Sequence, residues 1–485
     1  MMIHLLMLAL SSVTHAQGWS YPVLSIDVPD ENFQRKDLVV TGTDNIHQIW
    51  NKYGGDSRVG YNVILSDGTP VLSDRMLSND TWASYVSISR ASDSTVIALW
   101  RENHVSLWYS VMDTDGNTLI PPSLYSTEGW YSWPLIDSSP DSLGRIHLVR
   151  SLADGSVCYS VLEPGVGELF RDTIPDSHQQ SLIVVEGDHV HIKYNKGWPD
   201  DNAMYIQYDL DGNVVIPPVS LVDEEVDQSN RCSMTLDSDG NAMVFLVERP
   251  SSINPSFLSL YKIDRSTGTL LIDQKAIYQP AECTTLHEPV ILPGPDADSF
   301  YLLWGEGELG GSTDIHYIKF AVIDSEGNFT EEPYVAYDYS DENPQELQRI
   351  AADVNSAGDV FVHWSAYFRE IESFYIVLGW FDHTWVSVER NAYSEAGSSS
   401  LSVVTSSNPF TEQVEVIVTG GRGPLLVRIF DLQGRLVREL SSGPHGSMFL
   451  WDGRDSIGNE VPEGSYLVRV ADDMSCAAAM VIKLE

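Results

Sequence analysis

Charged and amide side chains recur just after one repeated apolar strand of this 485-residue chain. They are Asn51-Lys52, Arg101-Glu102-Asn103-His104, Arg150, Asn195-Lys196, Glu248-Arg249, Glu306-Gly307-Glu308 and Arg369-Glu370. Groups of this kind hydrogen-bond hydroxyl-rich or charged ligands, and loops on a rigid scaffold are where such sites concentrate. The candidate ligand residues are Arg101, Glu102, His104, Arg150, Lys196, Glu248, Arg249, Glu306 and Arg369; an ordinary solvated rim accounts for the same residues. With 69 Asp and Glu in the chain, a carboxylate pair for glycoside hydrolysis has ample material, but no spacing singles one out. There is no Gly-x-Ser-x-Gly elbow, no His-Glu-x-x-His and no phosphate loop, so no catalytic residue is assigned. Asp113-Thr114-Asp115-Gly116-Asn117 and Asp209-Leu210-Asp211-Gly212-Asn213 offer the oxygens a hard cation wants. They lie between strands, without a Glu at the twelfth loop position, and read as hairpin turns. No metal ligand is assigned, and calcium is the one cofactor they leave open. Trp130, Tyr131 and Trp133 suit sugar stacking or packing between repeats.

What must position these groups is a repeat. An apolar strand, often ending in an aromatic, returns as Ile46–Trp50, Val96–Trp100, Ile146–Arg150, Val190–Tyr194, Met243–Val247, Phe300–Trp304 and Val360–Trp364, at spacings of 44 to 60 residues. A second strand follows each, among them Tyr61–Leu65, Trp108–Met112, Cys158–Leu162 and Tyr375–Leu378, and then a turn rich in Asp, Gly and Asn. A unit of about 50 residues with four short strands is the size of a propeller blade. Strands covered on both faces read as apolar runs, as Val-Ile-Ala-Leu-Trp does. The expectation is an all-β chain with a seven-bladed β-propeller, six to eight blades being compatible with the weak terminal repeats. The segment resembles the broad class of secreted bacterial propellers with degenerate repeats. It lacks the Ser-x-Asp-x-Gly-x-x-Trp box of sialidase-type blades and the Gly-His and Trp-Asp signatures of WD repeats.

A small polar stretch near Ser394–Ser402 reads as a linker, and about 80 residues of short strands follow. They carry Asn408-Pro409-Phe410, then Asp431-Leu432-Gln433-Gly434-Arg435, Trp451-Asp452-Gly453-Arg454-Asp455 and Gly464-Ser465-Tyr466-Leu467, ending on Val481-Ile482-Lys483. This order resembles the immunoglobulin-like domain shared by flagellar hook-capping (FlgD-like) proteins and the type A C-terminal sorting domains of type IX secretion cargo. The resemblance implies a small β-sandwich and recognition by an outer-membrane export machine, with Asn408, Pro409, Phe410, Gly434, Trp451, Asp452, Gly453, Gly464, Tyr466 and Lys483 as its motif. A plain adhesive module shares these residues.

The N-terminal Met1–Ala16 has an apolar run and a Thr14-His15-Ala16 ending that fits a signal peptide cleaved after Ala16, although its start carries no Lys or Arg. The expected organisation is a signal peptide at 1–16, the propeller at 21–392, a linker at 393–402 and the Ig-like domain at 403–485. The 28 Lys and Arg against 69 Asp and Glu give a net charge of −41. That balance disfavours nucleic acid as a partner, and no segment has the apolar length of a membrane span. Cys158, Cys232, Cys283 and Cys476 lack zinc-site spacing. The sum is a protein secreted, or displayed on the cell surface, by way of the periplasm. Its partners would be the export machinery and an unknown extracellular protein or glycan; the alternative is an extracellular hydrolase or lyase acting on polysaccharide.

Overall fold

The computed structural model describes the chain except residues 1–13, 16–22, 27–31, 54–56, 67–68, 79–81, 104, 128–135, 198–201, 223–226, 250–255, 281–283, 309–314, 339–346, 369–372, 382–401, 407–409, 412, 420–424, 432–435, 442–447, 472–475 and 485. Most of the expected signal peptide and linker, and His104, Arg369, Asn408, Pro409 and Gly434, lie outside the described residues. The chain divides into two compact units, Met1–Trp385 and Val386–Glu485.

Among the described residues the first unit holds seven antiparallel sheets. Blade 1 is Asn32–Val40, Ile46–Tyr53, Val59–Ile64 and Pro70–Met76, from the innermost strand outwards. The other innermost strands are Ala83–Ser92, Ile136–Pro140, Ser177–Glu186, Asp227–Leu236, Thr284–Pro293 and Leu347–Val354. Each packs against the next, and Leu347–Val354 packs against Asn32–Val40, so the ring closes. The fold is a seven-bladed β-propeller. The strands read from the sequence are the second and third of each blade. Blade 7 takes its fourth strand from the N-terminus: Val23–Ile26 pairs antiparallel with Ser373–Phe381. Thr14–His15 adds a short fifth strand to blade 6, beside Phe329–Asp338.

The second and third strands are buried along almost their whole length, Val59–Ile64 at every position. Their side chains fill the seams between blades. Between blades 1 and 2, Ile49, Tyr61 and Val63 meet Val86, Ile88, Ala98 and Trp100. Burial of each such side chain is worth ~1.5–3 kcal/mol. Trp50, Trp100, Trp304 and Trp364 are fully buried at one repeated position of the second strand. Gly60 is glycine because Trp50 lies across it: a Cβ there would stand 2.1 Å from Cζ2 of that ring.

The innermost strands have a free edge, which is a liability in a sheet. Polar side chains from the neighbouring blade cover it. Asp37 accepts the backbone N–H of Ile88, Asp137 that of Ile183, and Asp353 that of Val40. Ser139 and Ser233 do the same for Val185 and Ile291. The ring is thus stitched laterally from blade 7 to 1, 1 to 2, 3 to 4 and 5 to 6.

The second unit is a two-sheet β-sandwich. One sheet orders Ser402–Ser406, Val414–Thr419 and Met448–Trp451; the other orders Leu436–Ser441, Leu426–Asp431, Gly464–Ala471 and Cys476–Lys483. Trp451 is fully buried between Phe410 and Tyr466, with ring centroids 5.4 and 5.0 Å away.

Candidate functional site

Antiparallel order puts two kinds of connection at each end of the propeller. The first-to-second and third-to-fourth turns share one end. The second-to-third loops and the links between blades share the other, called here the mouth.

The turn end is built from one device. Asp113 accepts the N–H groups of Asp115 and Asn117 on one oxygen and the Asn117 amide on the other. Asp209, Asp237 and Asp324 repeat it. The glycine between adopts positive φ, 82° at Gly116 and 85° at Gly212, which a side chain resists. Desolvation would raise these carboxyls, but the hydrogen bonds outweigh it and hold Asp113 and Asp209 below the usual range. Both oxygens of each Asp thereby accept hydrogen bonds within its own turn, and Asp237 also pairs with Lys262 at 3.0 Å.

At the mouth the innermost strands bulge. In six blades the register with the second strand slips at the same height: at Phe33/Arg35, Ser84/Val86, His178/Leu182, Gln228/Cys232, His287/Val290 and Gln348/Ile350. Bulges re-aim side chains and gather at functional rims. Tyr85 and Glu288 sit in them at φ 51° and 36°, backbone conformations that cost a non-glycine residue energy.

Of the residues singled out in the sequence, several are engaged inside this rim. Glu102 accepts the Trp100 indole N–H at 2.9 Å, and Glu306 that of Trp304 at 3.3 Å, with Lys319 3.7 Å away. Glu248 accepts the Tyr261 hydroxyl and the Gln274 amide, both at 2.7 Å. Arg101 donates to the Ser84 hydroxyl and lies 4.3 Å over the Tyr85 ring. Arg150 is fully buried, 5.4 Å from the ring of Tyr125. Lys196 is partly exposed at its strand end, and the Arg249 side chain lies outside the described residues.

Sequence reasoning missed Trp82. It is 54% exposed and the one aromatic among the exposed large hydrophobic side chains of the described residues. Its position is fixed from two loops. Asn103 N–H donates to the Trp82 carbonyl, Trp82 bridges to Ser57 in the loop of blade 1, and Ala83 N–H donates to the Ser57 carbonyl. Val105, 42% exposed, lies on the same loop as Asn103. Lying in no periodic strand, this indole had no sequence signal.

A second feature was visible but unpaired. His47, His147 and His191 occupy the same position of the second strand in blades 1, 3 and 4, and the hydroxyls of Tyr61, Tyr159 and Tyr205 lie 2.5–2.7 Å from their Nδ1 atoms. Burial disfavours the imidazolium, bringing His47 down to about 4 and His191 to about 3. Below pH 6.5 the unfolded chain takes up a proton that these folded histidines refuse, so each removes about 1.4 kcal/mol of stability per pH unit down to its folded pKa. Asp37 and Asp137 act oppositely. Burial raises them to about 7 and about 6, so their contribution grows as pH falls from those values toward 4. His191→Gln is therefore expected to be less stable than wild type at pH 7.5 and to regain about 3 kcal/mol relative to it by pH 4. Urea unfolding at both pH values checks this, and a constant difference would show that His191 does not titrate on unfolding.

In the second unit, Tyr466 donates to the Pro462 carbonyl at 2.6 Å and Trp451 to the Arg454 carbonyl at 2.9 Å. Gly453 has φ 65°, and a Cβ there would stand 2.7 Å from Cε of Lys483, whose ammonium pairs with Glu460 at 3.1 Å. Asp452 is exposed and accepts the Arg454 N–H; Gly464 has φ 151° in open space. The motif residues of this unit thus include its core and its turns.

The family model of the FlgD Ig-like domain matches residues 399–475. No curated protein matches the chain in sequence. Among solved structures, a protein of unknown function from Dyadobacter fermentans is 10% identical, with 76% of this chain and 99% of that one covered at TM-score 0.46. The BP39L lectin from Burkholderia pseudomallei is 12% identical, covering 69% and 97% at TM-score 0.45. A polysaccharide lyase, an ulvan lyase, is 8% identical, covering 70% and 90% at TM-score 0.47. The second unit is an Ig-like domain similar to the FlgD Ig-like model, and the likenesses to solved structures say nothing about what the propeller binds.

Proposed function

We propose that the propeller is an extracellular glycan-binding module and that the Ig-like domain directs its export to the cell surface or medium. The observation that carries the binding half is Trp82: an exposed indole, held from two blades, at the end where polar groups gather. Aromatic faces pack on the apolar faces of sugar rings, and adjacent amide, hydroxyl and charged groups supply orientation. A rim whose carboxylates Glu102, Glu248 and Glu306 already bond to Trp100, Tyr261 and Trp304 suits binding better than hydrolysis, which needs a carboxyl pair facing the substrate. On a glycan array the mature chain is expected to retain a defined set of oligosaccharides, and Trp82→Ala to weaken each by at least tenfold at unchanged thermal stability. Unchanged retention by the variant would remove the mouth from the account.

The export half draws on the resemblance of the last domain to secretion sorting domains. In a host with type IX machinery, the full chain is expected outside the outer membrane and a chain ending at Ser400 in the periplasm. Equal crossing by both would make the Ig-like domain a spacer or adhesive module.

A further inference from the structure

Asp67, Asp115, Asp154, Asp211, Asp239 and Asp452 are each followed by glycine. In this dipeptide the aspartate carboxyl is most open to attack by the next residue's nitrogen, because glycine has no side chain to shield it. All but Asp67-Gly68 lie wholly among the described residues. Four of the five glycines have that nitrogen tied down. The N–H groups of Gly116, Gly155, Gly212 and Gly240 donate to the carbonyls of Asp113, Leu152, Asp209 and Asp237 at 2.9–3.1 Å. Gly453 uses its carbonyl, which accepts the Val461 N–H at 2.9 Å, while its own N–H donates to no acceptor among the described residues.

The carboxyl is also placed differently. Asp452 is exposed, and its Oδ1 accepts the Arg454 N–H at 3.2 Å. A side chain bonded to the N–H two residues on is folded forward over the peptide between, here the one that holds the Gly453 nitrogen. Asp154 folds forward in the same way onto Ser156, but the Gly155 N–H is held by Leu152. At Asp115, Asp211 and Asp239 the N–H two residues on is taken by Asp113, Asp209 and Asp237. A forward-folded carboxyl and an unbonded glycine nitrogen therefore coincide at Asp452-Gly453. The fold holds the glycine there, since its φ is 65° and a Cβ would stand 2.7 Å from Cε of Lys483.

We propose that Asp452-Gly453 is a site of spontaneous aspartate isomerisation, through which the Ig-like unit ages while the propeller's Asp-Gly turns are held back by their hydrogen bonds. The Gly453 nitrogen attacks Cγ of the protonated Asp452 carboxyl. The N–Cγ bond forms, and the amide proton leaves with the carboxyl hydroxyl as water. Water then opens the succinimide. Cleavage of the new N–Cγ bond restores aspartate; cleavage between the nitrogen and the old main-chain carbonyl leaves isoaspartate. The main chain then runs through Cβ, one methylene longer between Trp451 and Gly453. Trp451 is fully buried and its indole N–H reaches the Arg454 carbonyl at 2.9 Å, so the longer chain no longer fits both ends of this turn.

A chain beginning at Gln17, stored in water enriched in oxygen-18 and then digested with trypsin, tests this. Each passage through the succinimide leaves one heavy oxygen in the peptide. The peptide Glu439–Arg454 is expected to take up label about fivefold or more faster than those holding Asp115, Asp154, Asp211 or Asp239, the factor that one lost turn hydrogen bond implies. In urea, where no turn is formed, the five rates are expected to converge. Asp452→Glu, whose ring would need a sixth member, is expected to end uptake in this peptide. Calorimetry of the stored chain is expected to show a lower-melting Ig-like population in proportion to its isoaspartate, with the propeller transition unmoved. Uptake at Asp452 no faster than at Asp115 in the folded chain, a difference that persists in urea, uptake that survives in Asp452→Glu, or an Ig-like transition unchanged by isoaspartate would overturn the proposal.

Discussion

Trp451→Ala is expected to unfold the Ig-like unit and leave the propeller standing. Trp451 is fully buried between Phe410 and Tyr466, and its indole N–H caps the Arg454 carbonyl. Emptying such a site costs about 3–5 kcal/mol. A unit of 100 residues, Val386–Glu485, has roughly 5–15 kcal/mol in total. At ~4–8 °C per kcal/mol for a domain this small, its melting temperature falls by about 12–40 °C or the transition vanishes. Calorimetry of the full chain reads this directly, with the propeller's own transition as the internal standard. A joint fall of both transitions would mean that the units do not unfold separately. Under the export proposal the same variant accumulates in the periplasm with its propeller folded.

The second large effect is expected at the other end of the chain. A form beginning at Asn32 lacks Val23–Ile26 and so loses the outer strand of blade 7. That uncovers the edge of Ser373–Phe381, where Ile376, Val377 and Leu378 are fully buried. Re-exposing side chains of this kind costs ~1.5–3 kcal/mol each, about 5–9 kcal/mol for all three if fully re-exposed, and leaves a long apolar edge open to pairing with other chains. Compared with a chain beginning at Gln17, it is expected to melt lower and to aggregate. A synthetic peptide spanning residues 17–31 is expected to restore both properties by occupying the edge. Equal stability of the two forms would show that blade 7 stands on three strands.

The second and third strands of every blade were legible because they are buried on both faces and so read as plain apolar runs. The innermost strands were not. Asp37, Asp137 and Asp353 interrupt their apolar character to serve backbone groups one blade away, contacts with no local signature. The bulges at Tyr85 and Glu288 break what alternation is left. The outer strands carry prolines, Pro70, Pro121 and Pro217 among them, as edge strands may, and thus resemble loops. In blade 5 the repeated aromatic position is Leu246, one residue before the position read from the sequence, because only the pairing of Ala242 after its turn sets the register.

At the rim, the same seven loops were legible and their internal chemistry was not. Trp100 and Glu102, like Trp304 and Glu306, stand two apart and so share a strand face, which is why the indole reaches the carboxylate. That spacing was readable in retrospect. Trp82 was not, since its exposure depends on the loops at Ser57 and Asn103 meeting on either side of it.

Hydrogen exchange on a chain beginning at Gln17, with and without the best oligosaccharide from the array, tests the central claim most directly. Protection is expected in the peptides holding Trp82–Tyr85 and Arg101–Leu107, at the mouth of blades 1 to 3, with the Asp-Gly-Asn turns at the opposite end unchanged. Protection confined to the turn end, or to the Ig-like unit, would contradict the account.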